Sequence, residues 1–249
     1  MIVLRGVQWQ TFQTVMAELS QGSAYKIFYD PDTSELGLSQ SSQEAVAGTV
    51  VLRGIRWQSF QTLMAEVGDG RAWRIAYDRG VLELRMPLQE HEQPKILLAN
   101  FVEALADALE IEVMQLGALL LEREDLTRAI EPDTCFYIEH ESIVRSKTIN
   151  LKTDPPPDLA IESDHTNSSL NKHSIYAALG VPELWRYHQQ RLQVYRLVAG
   201  QYELSDRSLA FPFLPIAEVP EFIEKSKEIG QRSAVRLFRQ RIQAILSGQ

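Results

Sequence analysis

Between Glu131 and Tyr187 the chain carries residues whose types and order outline a divalent-metal site. Pro132-Asp133 opens one apolar run, Pro157-Asp158-Leu159-Ala160-Ile161-Glu162 forms another, and Lys172 and Tyr176 follow in a segment with helical spacing. Hard cations take oxygen ligands at ~2.0–2.6 Å, so the carboxylates must converge. Asp158 and Glu162 on one strand would stand about 13 Å apart at ~3.3 Å per residue, too far to chelate one ion. If the two runs are antiparallel neighbours, Asp133 at the start of one meets Glu162 at the end of the other. Asp133 with Glu162 is therefore the better pair. Glu83, set mid-strand between Leu82 and Leu84, is the natural third carboxylate, because an acid there is costly unless it faces solvent or a cation. Lys172 and Tyr176 are four apart and share a helix face. A lysine beside a carboxylate-bound metal can orient or deprotonate a water for attack on phosphorus.

Each residue also has a plainer reading. Pro-Asp is a common way to start a strand, strand-terminal glutamates are usually solvated, and a lone helix lysine usually faces water. Tyr176 taken alone reads as core. His91 and His165 flank the site in sequence, yet such histidines mostly cap or fill. Asp164 and Thr166 fit a helix N-cap. The ordered series, rather than any member, carries the argument.

The elements that must position these residues include a repeat. Leu4-Arg5-Gly6 recurs as Leu52-Arg53-Gly54, Trp9-Gln10 as Trp57-Gln58, Phe12-Gln13-Thr14 as Phe60-Gln61-Thr62 and Tyr29-Asp30 as Tyr77-Asp78, always 48 positions on. Without a gap the match reaches Glu35-Leu36 against Glu83-Leu84. Two copies are too few for a solenoid. Each copy reads as helix, strand, turn, strand, with Trp57, Phe60, Leu63, Met64 and Val67 at helical spacing and Asp78-Arg79-Gly80 as a hairpin signal. A helix is expected over Gln93–Leu109, short strands at 111–114 and 118–121, a strand over 132–138, a loop over 140–156 and a strand over 158–162. A helix over 168–179, stopped by Gly180, a three-strand meander over 184–204 and one helix over 221–246 complete the reading. Helices alternating with short strands predict an α/β class. The expected organisation is a duplicated helix-hairpin unit (1–38), a polar linker (39–49), a main domain (50–210) and a C-terminal helical extension (211–249).

At 249 residues and 45% hydrophobic, the chain can bury a sizeable core. Cys135, the single cysteine, excludes an internal disulfide and reads as a small core residue. No secretory signal and no membrane-length apolar run is visible, so the expectation is a cytoplasmic protein without a membrane partner. A net charge of −8 counts against gripping nucleic acid by charge alone and requires local patches or metal ions. Trp9 and Phe12 read mainly as packing under a helix, with a docking face as the other reading.

The run 157–162, then Lys172-x-x-x-Tyr176, then Gly180-Val181-Pro182-Glu183-Leu184-Trp185 resembles the Uma2 (DUF820) family of endonuclease-like proteins, abundant in cyanobacteria and assigned to the PD-(D/E)XK superfamily. Gly80 to Glu83, His91 opening a helix, and Pro132-Asp133 agree with that pattern. The resemblance spans about 50–205 and implies a restriction-endonuclease-like mixed sheet flanked by helices. It also implies Mg²⁺ or Mn²⁺ held by Glu83, Asp133 and Glu162, with Lys172 as the catalytic lysine. His91, Tyr176 and Asp164 stand as accessory residues. Position 164, where a Glu-x-Lys motif would place its lysine, is Asp164, so Lys172 must act from a helix. The implied substrate is nucleic acid, DNA above RNA, and a homodimer is compatible with cutting two strands. The alternative is a catalytically inactive nuclease fold used for binding or regulation.

Overall fold

The computed structural model describes residues 2–19, 25–40, 48–68, 71, 73–86, 89–163 and 170–248, with the backbone alone at 25, 39–40 and 89–92. In chain order the first elements are β1 (Ile2–Arg5), α1 (Trp9–Glu18), β2 (Tyr25–Asp30), β3 (Glu35–Gln40), β4 (Thr49–Arg53), α2 (Trp57–Val67), β5 (Arg74–Asp78) and β6 (Val81–Arg85). Next come α3 (Gln89–Leu109), β7 (Met114–Gln115), β8 (Leu121–Arg123), β9 (Arg128–Ile130), β10 (Thr134–Tyr137), α4 (Glu141–Val144), β11 (Leu159–Ser163) and α5 (Lys172–Leu179). The last are β12 (Glu183–His188), β13 (Arg191–Val198), β14 (Gln201–Ser205), α6 (Val219–Ile229) and α7 (Gln231–Leu246). The class is mixed α/β, as the alternation of patterns predicted. The chain divides into two compact units, one of residues 1–88, 122–131 and 166–175, the other of 89–121, 132–165 and 176–249.

The first unit holds both repeated segments. Each is strand, helix, strand, strand, with orders β1-β3-β2 and β4-β6-β5. The leading strand, absent from the sequence reading, comes from the Leu-Arg-Gly match: it is only four or five residues long and too short to show its period. β9 extends the second sheet by pairing with β5, Tyr77 opposite Ala129 and Asp78 opposite Arg128. The two helices cap each other. Glu66, in α2, accepts from Gln8 N (2.9 Å) and the Thr11 hydroxyl (2.7 Å); Glu18, in α1, accepts from Arg56 N (2.9 Å) and the Ser59 hydroxyl (2.7 Å). Each glutamate thereby satisfies orphan donors at the other helix's start, where negative charge is favoured.

The registers correct the ungapped match of Glu35 to Glu83. Leu4 pairs with Leu36 and Tyr29 with Leu36; Leu52 pairs with Leu82 and Tyr77 with Leu82. Leu36 therefore corresponds to Leu82, because the first hairpin turn is two residues longer. The counterpart of Glu83 is Gly37, whose missing side chain is replaced by the Phe28 ring: a Cβ there would lie 2.0 Å from it. Glu35 instead pairs with Arg5 at the surface.

In the second unit, a six-stranded sheet has the order β14-β13-β12-β11-β10-β7. β11 and β12 are parallel and the other pairs antiparallel. One sheet face, with Phe136, Leu159, Ile161, Trp185, Tyr187 and Val194, joins a single core with Leu98, Phe101, Phe222 and Phe238 of the helices. The C-terminal region is thus part of this core rather than an extension. It is also two helices, because Gly230 (φ +86°) interrupts it. The expected helix end at Gly180 is observed: Val181 N bonds Tyr176 O and Gly180 N bonds Ala177 O, with Gly180 left-handed. Among the described residues, no helix is long and apolar enough to cross a membrane.

Burial alone would raise the Glu18 carboxyl, but the Arg56 backbone N–H, the Ser59 hydroxyl and the Arg56 guanidinium hold it below its ordinary 4.5. Its contribution to stability is therefore present above pH 4.5 and is lost as pH falls through the folded value. Glu18→Gln is expected to cost about 1–2 kcal/mol at pH 7 in denaturant melts, with a smaller difference from wild type at acid pH. Equal costs at both pH values would contradict the charged cap.

Candidate active site

Thr134 and Ile161 form the last register pair of the β10–β11 ladder, with Cys135 opposite Ala160 and Phe136 opposite Leu159. Asp133 lies one residue before that pair and Glu162 one residue after it. The antiparallel arrangement anticipated from the two Pro-Asp runs therefore brings both acids to one end of one ladder. Both are buried, at 6% and 3% exposure.

Each carboxylate is aimed by a specific donor. Asp133 Oδ2 accepts from the Ser163 backbone N–H (2.7 Å) and the Ser163 hydroxyl (3.0 Å), while Asp133 N itself bonds Ile161 O (3.2 Å). Glu162 Oε1 accepts from the Tyr176 hydroxyl at 2.5 Å. Tyr176 is fully buried. Burial, then the Glu162 charge and hydrogen bond, then the Asp133 charge, push its phenol well above the ordinary range. It therefore remains an O–H donor. The phenol feels both carboxylates, so all four residues belong to one cluster. Ser163 gave no sign in the sequence, because a serine after a strand glutamate is unremarkable until the ladder is known.

Asp158 is committed elsewhere. Its carboxylate accepts from Ile138 N (2.7 Å) and His140 N (3.1 Å) and meets His140 Nδ1 (2.5 Å). It fixes the chain leaving β10. Glu183 of the Gly-Val-Pro-Glu-Leu-Trp motif, fully buried, binds Trp185 Nε1 (2.5 Å), Leu209 N (2.7 Å) and Ala210 N (2.9 Å). That part of the motif anchors a loop onto the sheet. Cys135 is buried, which pushes its thiol up to about 12; it is a core residue.

Lys172 is the first residue of α5, one turn before Tyr176. Glu83 is mid-β6 and 1% exposed, paired with Ala76 and Val51. Lys172 and Glu83 belong to the first compact unit, and Asp133, Glu162 and Tyr176 to the second. His91 lies in the first turn of α3, its side chain outside the described set, and Asp164 and His165 lie outside the described residues. The sequence reading passed over Glu131. It is buried and ion-paired with Arg71, and its Oε2 accepts from Ile75 N (3.2 Å). Burial raises its carboxyl despite the arginine.

A family model described as "Uma2: Putative restriction endonuclease" matches residues 57–224, about two thirds of the chain. The chain belongs to the Uma2 family. The match takes in the ladder, α5 and the three-strand meander. Among solved structures, a crystal structure titled as a putative nuclease belonging to DUF820, from Anabaena variabilis, is 14% identical. It covers 73% of this chain and 99% of its own, with a TM-score of 0.45. No curated protein matches.

Restriction-endonuclease-like proteins generally use divalent metals. Among the described residues, no group of three or more His, Cys, Asp or Glu is placed to hold an ion. The Asp133–Glu162 pair nevertheless fits Mg²⁺ or Mn²⁺ by donor chemistry. Such ions are commonly held by one or two carboxylates, with water and substrate phosphate completing the shell. Two buried acids at one ladder end also repel each other, and a cation would offset that cost.

Removing the donors should cost unequally. Tyr176→Phe leaves buried Glu162 without the phenol and is expected to destabilise by about 1–3 kcal/mol. Ser163→Ala retains the backbone N–H to Asp133 and should cost roughly 1 kcal/mol or less. Urea melts of both variants check the order, and a reversed order would contradict it.

Proposed function

We propose that this chain is a Mg²⁺- or Mn²⁺-dependent endonuclease that hydrolyses phosphodiester bonds, with DNA as the favoured substrate. The single observation supporting it is that Asp133 and Glu162 lie at one end of the β10–β11 ladder, in a chain of the family described as "Putative restriction endonuclease". In this reading Asp133 and Glu162 hold the cation, and Ser163 and Tyr176 keep their oxygens aimed. Glu83 is assigned as a further ligand, with His91 and Asp164 as accessory residues, on the family pattern. When bound, the cation supplies Lewis-acid stabilisation of charge developing on the phosphate. Lys172 orients the attacking water; as the water oxygen bonds to phosphorus, the bond from phosphorus to the leaving oxygen breaks, the water gives up a proton to solvent and the leaving oxygen takes one from solvent. Burial of the carboxylates keeps bulk water from competing for their oxygens. A cytoplasmic setting, and a homodimer with one site per strand, belong to the same proposal.

A second reading is a nuclease fold without cleavage, used for binding or regulation. Asp164 favours it, standing where a Glu-x-Lys motif has lysine.

The test is cleavage of duplex DNA with Mg²⁺ or Mn²⁺. Asp133→Ala and Glu162→Ala should abolish turnover while circular dichroism shows a folded chain. Lys172→Ala should slow turnover by about 10²–10⁴-fold. Wild-type cleavage surviving both carboxylate changes would sink the nuclease assignment. Saturable metal binding with no cleavage of DNA or RNA would select the second reading.

A further inference from the structure

One face of the second unit's sheet packs on the helices, and the other carries a polar row beside buried residues such as Cys135, Ala160 and Leu184. Leu159, Ile161, Trp185 and Tyr187 point into the helix-covered core. Side chains alternate along a strand, so Glu162 and Arg186 project from the other face. The parallel β11–β12 register pairs Glu162 with Arg186, and the antiparallel β12–β13 register pairs Arg186 with Gln193. Glu162, Arg186 and Gln193 therefore form one polar row across three adjacent strands.

Arg186 is half-buried, and among the described residues no hydrogen bond or ion pair engages its guanidinium. A partly desolvated guanidinium wants an anion, and its fork of donors matches two oxygens of a phosphate. Several arginines of the chain find such an anion within it. Arg128 is paired with Asp78, Arg145 with Glu141, Arg239 with Asp107 and Arg241 with Glu218. Arg186 has no such carboxylate partner, although it lies in register with Glu162 in a chain of net charge −8; Arg196 on β13 likewise keeps a buried Nε without a partner. Gln193 beside it adds neutral amide donors and no competing negative charge.

We propose that Arg186, with Gln193 beside it, binds a backbone phosphate of DNA next to the Asp133–Glu162 pair and sets where the strand lies. The inference rests on the nuclease reading for the choice of DNA as ligand. Arg186 acts as the phosphate contact, while the carboxylates serve the cation. It also answers the objection that an acidic chain cannot grip nucleic acid, because the required positive charge is local.

The experiment uses the full chain and a fluorescein-labelled 20-base-pair duplex, read by anisotropy in EDTA over a salt series. Arg186→Gln is expected to weaken binding about tenfold and to lower the slope of log affinity against log salt by about 0.9, the loss of one phosphate contact. Arg186→Lys should retain the wild-type slope and recover part of the affinity. Arg191→Gln, an exposed neighbour at the start of β13, should change neither quantity. Mn²⁺ binding to Arg186→Gln, read by calorimetry, should match wild type. The proposal is overturned if Arg186→Gln keeps both the affinity and the slope, if Arg191→Gln matches its effect, or if the wild type does not bind the duplex. Normal DNA binding by Arg186→Gln alongside carboxylate-dependent cleavage would remove this inference alone. Loss of metal binding and cleavage from the wild type would remove the nuclease reading instead.

Discussion

The antiparallel register of β10 and β11 is the constraint on which the candidate site depends. With Thr134 opposite Ile161, Asp133 and Glu162 flank the terminal pair and are buried at the same place. Shifting the register by one residue would exchange the two faces of β11. Glu162 would then enter the apolar core and Ile161 would take its place. The core side of the sheet, with Leu159, Ile161 and Trp185 packed among α3, α6 and α7, therefore specifies the chemistry of the opposite side. Burial of the acids is tolerated because each is given a donor, Ser163 for Asp133 and Tyr176 for Glu162.

The two matching segments share a strand, helix, strand, strand order but differ in what they bury. Trp9, Phe12 and Tyr29 cluster as Trp57, Phe60 and Tyr77 do, with ring centroids 4.9–5.3 Å and 4.7–5.4 Å apart. Yet Trp9 is 53% exposed and Trp57 only 9%. Where the second segment carries Glu83, the first has Gly37 beneath Phe28. The first segment thus has no carboxylate at that position, and the two segments are tied to each other by the Glu18 and Glu66 caps.

Much of this was legible in the sequence. The meander after Gly180 and the helix stop at that glycine follow from period and turn chemistry, whereas the opposition of Asp133 to Glu162 follows from strand geometry only if their strands are antiparallel neighbours, which the ladder supplies. What escaped has physical reasons. A four-residue strand such as β1 shows no resolvable period, and β9 is defined only by its long-range partner β5. A two-residue difference in hairpin length cannot be placed by an ungapped match, which is why Glu35 stood in for Gly37. Gly230 was hidden in an otherwise continuous helical pattern. The donors that aim the carboxylates, and the row from Glu162 to Gln193, exist only once strands are paired.

The measurement that bears most directly on this account is calorimetric titration of Mn²⁺ into the full chain and into Glu162→Gln, a change that keeps size and an oxygen acceptor for Tyr176. The account predicts saturable binding to the wild type that disappears in the variant while both remain folded. Equal binding by the two proteins, or none by the wild type even with oligonucleotide phosphate present, would contradict the assignment of this ladder end as a metal site.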